Sequence, residues 1–213
     1  MAELDAPRCC IAIAGGTCAG KSWLSDIVSQ EYSGRTCVIR EEDFYPDRSA
    51  FAPSQLADIN FDSIHSLDVE LLLLSLTTLI AGQVATVPRY DPRAHRRLDH
   101  WEQVSPASVL VVEGMHAISI AESLCDRSDC ECDWIRVFVE CSDRKRMSRR
   151  LARELWSPTI PGDFDEYWRA YCAPMFEREV LPQRQRADLP LGSPPRRHEL
   201  NKVLEMIRGK LSD

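Results

Sequence analysis

Short, unbroken apolar runs alternate along this chain with stretches whose apolar residues recur every three or four positions. The first run, Cys9-Cys10-Ile11-Ala12-Ile13-Ala14, is continuous rather than alternating, as in a strand buried on both faces of a parallel sheet. Thr36–Arg40 predicts a second strand, Val109-Leu110-Val111-Val112 the most strongly buried one, and residues 135–139 another. Between these runs the period changes. Trp23, Leu24, Ile27 and Val28 recur at helical spacing after the first strand. Residues 67–81 predict a helix capped by Ser66, stopped at Gly82 and apolar on most faces, hence largely buried. Residues 143–155 predict another, with Met147, Leu151 and Leu155 as its buried stripe. Residues 47–66 read as irregular, and 83–97 as an extended segment or hairpin. Strands alternating with helices give an α/β fold with a mainly parallel sheet flanked by helices. Ligands then gather at the carboxyl ends of the strands.

Between the first strand and the first helix stands Gly15-Gly16-Thr17-Cys18-Ala19-Gly20-Lys21-Ser22, a complete G-x-x-x-x-G-K-S phosphate-binding loop. Glycine at positions 15 and 20 lets the backbone curl so that its N–H groups point at phosphate oxygens, and the helix that follows adds its positive end. In this setting Lys21 is expected to reach the β- and γ-phosphates of a nucleoside triphosphate and the Ser22 hydroxyl to bind Mg²⁺. The fold is therefore expected to be of the P-loop NTPase type. Cys18 is read as a small loop residue whose N–H binds phosphate.

The net charge of −7 argues against a general nucleic-acid binder. The longest apolar stretch, residues 71–80, is interrupted by Ser75, Thr77 and Thr78 and is too short to span a bilayer. No secretory signal is visible at Met1, so a cytoplasmic location is the default expectation. Of nine cysteines, Cys9, Cys10 and Cys141 fall in strand-like runs and are read as core residues. Cys125, Cys130 and Cys132 cluster, but their spacing fits no paired zinc pattern, and a polar loop with free thiols is expected. The length suits one domain over 1–213, with a substrate-binding insertion at about 83–103 and a mobile lid at about 153–166.

Acidic residues at strand ends supply what a phosphoryl-transfer site needs: one carboxylate to hold Mg²⁺, another to accept the proton of an attacking hydroxyl. Glu113, directly after four apolar strand residues, is the metal candidate. Glu42 and Asp43 compete for the base, since neighbours on an extended segment point opposite ways. The helix 143–155 carries Arg144, Lys145, Arg146, Arg149, Arg150 and Arg153. In an acidic chain that binds a polyanion these point to phosphate contacts, and Pro158 and Pro161 then break the helix into a lid. Tyr90, His95 and Arg97 offer a ring, an imidazole and a cation for reading a substrate.

Taken together, the motifs resemble those of the uridine kinase group of P-loop kinases, in the uridine kinase and phosphoribulokinase-like family. The resemblance runs from Ile11 to about Leu191. It rests on the loop, Glu42-Asp43-Phe44-Tyr45, Asn60-Phe61-Asp62, Pro88-Arg89-Tyr90-Asp91 with His95 and Arg97, and Val112-Glu113-Gly114. Further matches are Arg149-Arg150-Leu151-Ala152-Arg153, Pro174-Met175-Phe176 and Ala187-Asp188. It implies transfer of the ATP γ-phosphoryl to the 5′-hydroxyl of a ribonucleoside such as uridine or cytidine, with Mg²⁺. It further implies that Asp62 holds ribose hydroxyls, Tyr90 and His95 approach the base, and Arg150 and Arg153 approach phosphates or ribose. The family's catalytic aspartate falls on Glu42, one methylene longer, with Asp43 as the alternative. The family's Arg-Gly-Arg lid is replaced by Ser157-Pro158-Thr159, and Pro161-Gly162-Asp163-Phe164-Asp165 looks more like the lid of nicotinamide riboside kinases. A nicotinamide riboside or specialised-nucleoside kinase is thus the alternative within the class, and a non-catalytic P-loop regulator the one outside it. The expected partner is a small-molecule nucleoside, with assembly into a homo-oligomer left open.

Overall fold

The computed structural model describes residues 6–127, 132–156, 159–160 and 162–212. Among them, five strands form one parallel sheet in the order β2-β7-β1-β8-β9: β1 (Cys9–Ala14), β2 (Thr36–Arg40), β7 (Val109–Glu113), β8 (Trp134–Glu140) and β9 (Leu189–Gly192). The strand with the loop after it is central, and all six of its residues are buried. That is why β1 reads as a continuous apolar run: helices cover both faces. On one face Cys10, Ala12, Ala14, Leu110 and Val112 pack under α3 (Val69–Ile80) and α4 (Ala117–Arg127). On the other, Cys9, Ile11, Ile13, Val109 and Val111 pack under α1 (Lys21–Glu31) and α8 (Arg197–Ser212). Burial pushes the Cys9 and Cys37 thiols up to about 11, as befits core residues.

Residues 83–104 leave the sheet. β3 (Ala85–Val87) pairs antiparallel with β6 (Glu102–Val104), and β4 (Tyr90–Asp91) with β5 (Arg96–Arg97). A third apolar cluster of Phe61, Tyr167, Trp168 and Cys172 joins the region after Asn60 to a helical segment. That segment begins at α6 (Phe164–Tyr167) and passes through π-helical turns on either side of α7 (Ala173–Met175).

Three expectations are corrected. Ser66 does not cap α3; its hydroxyl donates to the Asn60 carbonyl, and the Asp68 carboxylate instead accepts from the Leu71 N–H. A carboxylate two residues further on outcompetes a hydroxyl committed elsewhere. The segment 47–66 is not wholly irregular, since it contains α2 (Pro53–Ala57) and a 3₁₀ turn at Ile64–Ser66. Most tellingly, α5 (Asp143–Trp156) is turned over. Leu151 and Leu155 face solvent, Met147 is only partly buried, and the buried residues are Arg146 and Arg150. The Arg146 guanidinium lies 3.7 Å from the Phe176 ring centroid and 5.5 Å from that of Trp168. Cys130, Pro158 and Pro161 lie outside the described residues. Cys125 is exposed and its thiol approaches the Cys132 carbonyl at 4.0 Å.

Candidate active site

The loop between β1 and α1 fits its task through backbone geometry. Gly15 has φ +149°, and a Cβ there would sit 2.7 Å from the Val139 carbonyl oxygen. Only glycine allows that approach. Cys18 adopts φ +57°, which tightens the turn. Lys21 folds back, donating to the Gly15 and Gly16 carbonyls at 3.0 Å each. Burial lowers its pKa, opposed by the nearby carboxylates of Glu113, Glu41 and Glu42.

The acids come from the ends of β2 and β7, neighbours in the sheet. Glu113 is the last residue of β7 and is buried; burial pushes its carboxyl pKa up, opposed by Lys21, Ser22 and Arg40. After β2, residues Glu41–Phe44 form a 3₁₀ turn rather than an extended segment. The simple alternation assumed for Glu42 and Asp43 therefore does not apply. Glu42 borders the cavity described below, and so does Glu41, a residue the sequence reading passed over. Glu41 accepts from the His116 N–H at 2.8 Å, and a Cβ on Gly114 would overlap its carboxylate, so Val-Glu-Gly ends in glycine for room. Asp43 turns away, pairing with Arg89 at 2.6 Å and accepting from the Tyr90 N–H at 3.3 Å.

Across the cavity stands an aromatic wall. Phe61 stacks on His95 with ring centroids 4.9 Å apart, Tyr45 lies 5.3 Å from Tyr90, and the Tyr90 hydroxyl is 3.4 Å from His95 Nδ1. Burial lowers the His95 pKa and pushes the Tyr90 phenol up to about 12, so both are neutral at pH 7. Asp62 is buried beside them, and its carboxylate favours the charged forms of both Arg150 and Arg146 against their burial. Arg150 also donates to the Thr17 hydroxyl at 3.1 Å and pairs with Glu154 at 3.1 Å. Glu154 in turn accepts from the Thr159 and Ile160 N–H groups, tying these two residues to α5 with Thr159 at the cavity wall.

These groups enclose a cavity of about 520 Å³. Of the residues expected from sequence, Thr17, Cys18, Gly20, Lys21, Ser22, Glu42, Asp62, Tyr90, His95, Glu113, Arg150 and Arg153 border it. Gly15, Gly16 and Ala19 form the loop backbone behind it. Arg97 does not border it: its guanidinium donates to the Tyr45 and Phe44 carbonyls at 3.1 and 3.2 Å and pairs with Asp68 at 3.3 Å. It braces the acidic turn rather than reading a substrate. A second cavity of about 330 Å³, with Leu24, Val139, Leu191 and Pro194 in its walls, shares Gly20, Trp23 and Arg149 with the first.

Residues 10–198 match the Phosphoribulokinase / Uridine kinase family. The chain belongs to this family. As a member it is a phosphotransferase. Its relatives include a uridine kinase of Lactiplantibacillus plantarum, 29% identical over 182 residues that cover 84% of each chain. A uridine kinase of Halobacterium salinarum is 27% identical over 209 residues, covering 97% of this chain and 90% of that protein. The phosphoribulokinase of Rhodobacter spheroides superposes with a TM-score of 0.64 at 12% identity, over 88% of this chain and 70% of that one, a likeness of fold. Among the described residues, no helix is long and apolar enough to cross a membrane.

Proposed function

We propose that this phosphotransferase moves the γ-phosphoryl of ATP to the 5′-hydroxyl of a ribonucleoside, with uridine or cytidine as the substrate. One observation carries the reading: Glu42, Lys21 and the buried Asp62 border one cavity, between a phosphate loop and an aromatic–imidazole wall. The relatives named uridine kinases favour a pyrimidine nucleoside over nicotinamide riboside.

In this reading Glu42 takes the proton from the attacking hydroxyl. Lys21, Arg150 and Arg153 neutralise charge on the transferring group. Asp62 accepts hydrogen bonds from the ribose hydroxyls, while Tyr90 and His95 meet the base. The second cavity offers apolar walls to the base of the donor. Mg²⁺ fits the donor set: Ser22 and Glu113 are hard oxygen ligands, and the buried Glu113 Oε1 has no hydrogen-bond partner. Among the described residues no cage of three His, Cys, Asp or Glu side chains forms, so the ion would share its shell with phosphate oxygens and water. Held there, the ion would supply positive charge to offset that of the phosphates.

Asp62→Asn is expected to raise the nucleoside KM while leaving the ATP KM unchanged. The wild-type enzyme should prefer ribonucleosides to 2′-deoxyribonucleosides, because deleting a hydroxyl leaves a buried acceptor unpaired. Steady-state kinetics on matched uridine and 2′-deoxyuridine measure this. Equal kcat/KM for the pair contradicts the role given to Asp62.

A pH effect follows from His95. Its folded pKa lies below the unfolded value of about 6.5, so the unfolded chain binds more protons between the two. Stability contributed by neutral His95 is full above that unfolded value and is lost as pH falls through the folded one. Urea midpoints at several pH values should fall more steeply on acidification for wild type than for His95→Gln. Parallel pH profiles would show that His95 is not the group responsible.

A further inference from the structure

Parallel pairing of β2 with β7 places Arg40 directly beside Glu113, and laterally paired residues project to the same face. Arg40 Nε lies 3.2 Å from Glu113 Oε1, while its Nη2 lies 4.0 Å from Asp26 Oδ1 on α1. The first contact is an ion pair without hydrogen-bond geometry: Glu113 Oε1 is buried and lacks a hydrogen-bond partner. The three side chains form a gradient, with Glu113 4% exposed, Arg40 35% and Asp26 59%. Arg40 therefore sits between a buried anion and a wetted one. It borders the same cavity as Ser22 and Glu113.

This placement creates a conflict. A guanidinium beside the carboxylate meant for a divalent cation repels that cation across a poorly solvated gap. Lys21 and Ser22 also face the Glu113 carboxylate, so Arg40 is one of several groups around it. Its long side chain and the solvated Asp26 give it an alternative position.

We propose that Arg40 is a positioning residue that governs metal entry. It holds the Glu113 carboxylate toward the cavity before the ion arrives, then passes to Asp26 as Mg²⁺ takes the carboxylate. The Arg40–Asp26 pair thereby sets the Mg²⁺ concentration at which the site fills. The inference rests on the kinase reading for the presence of the ion and goes beyond it in assigning the exchange.

The test is Mn²⁺ binding to the full chain with a non-hydrolysable ATP analogue, read from the electron paramagnetic resonance of free Mn²⁺. Arg40→Gln should tighten Mn²⁺ binding about 10-fold, the scale on which groups around metal ligands act. Asp26→Asn, an exposed change on α1 that the fold tolerates, should weaken it about two- to fivefold, the range of an exposed ion pair. The double variant should match Arg40→Gln, because Asp26 acts only through Arg40. An Arg40→Gln affinity equal to or below wild type overturns the proposal. So does an Asp26→Asn effect of the same size in both backgrounds, which would be the mark of bulk electrostatics. If wild type with the analogue binds no Mn²⁺, the metal-dependent kinase reading falls too. Binding with unaltered variants overturns the exchange alone.

Discussion

Lys21→Ala is expected to reduce turnover by at least about 10³-fold while the protein stays folded. The ammonium group lies against the loop, 3.0 Å from the Gly15 and Gly16 carbonyls, where charge builds on the transferring group. Alanine leaves that charge uncompensated in a site where water cannot replace the lost cation. The fold should survive because burial penalises the charged lysine, as its lowered pKa reflects. The backbone cradle also rests on Gly15 and β1 rather than on this side chain. A coupled assay of ADP release and a thermal melt on the same preparation check both halves. Near-wild-type turnover of every nucleoside tested would remove the kinase reading, and unfolding would remove the claim that Lys21 is dispensable to the fold.

Glu42→Gln is expected to lower kcat by roughly 10²- to 10⁴-fold with a much smaller change in KM, because a general base acts in the transition state. Asp43→Asn serves as the internal comparison. Asp43 is engaged with Arg89 and the Tyr90 N–H. Its loss should loosen the hairpin that carries the aromatic wall and appear chiefly in the nucleoside KM. A large kcat loss in Asp43→Asn with Glu42→Gln nearly silent would move the base by one residue. Glu41 is separable from both, because its carboxylate is tied to the His116 N–H and held close to Gly114.

Sequence periodicity was a good guide wherever burial follows apolarity. β1 and β7 could be placed because residues covered on both faces must be apolar throughout. The loop was legible because its chemistry lies in backbone shape, which glycine positions encode directly. The reading failed on α5, where Arg146 and Arg150 are buried and Leu155 is 78% exposed. Both stripes have helical spacing, and only the tertiary environment (the phosphate loop on one side, Trp168 and Phe176 on the other) decides which is covered. Arg97 misled for a related reason. Its proximity in sequence to Tyr90 and His95 suggested a shared task, but its long side chain is drawn to the Phe44 and Tyr45 carbonyls and to Asp68, partners that lie far from it in sequence. Glu41 and Arg40 left no signal because charged residues beside a motif are ordinarily solvated. The third dimension alone brings them to the cavity wall.

The central claim is that a ribonucleoside 5′-hydroxyl receives the γ-phosphoryl of ATP in this cavity. A panel of nucleosides incubated with the enzyme, ATP and Mg²⁺, with products resolved by mass spectrometry, tests it most directly. Formation of the 5′-monophosphate of uridine or cytidine, dependent on Lys21 and Glu42, is the predicted result. Efficient phosphorylation of nicotinamide riboside with neither pyrimidine nucleoside used would contradict the substrate assignment. The absence of any nucleoside 5′-monophosphate would contradict the account itself.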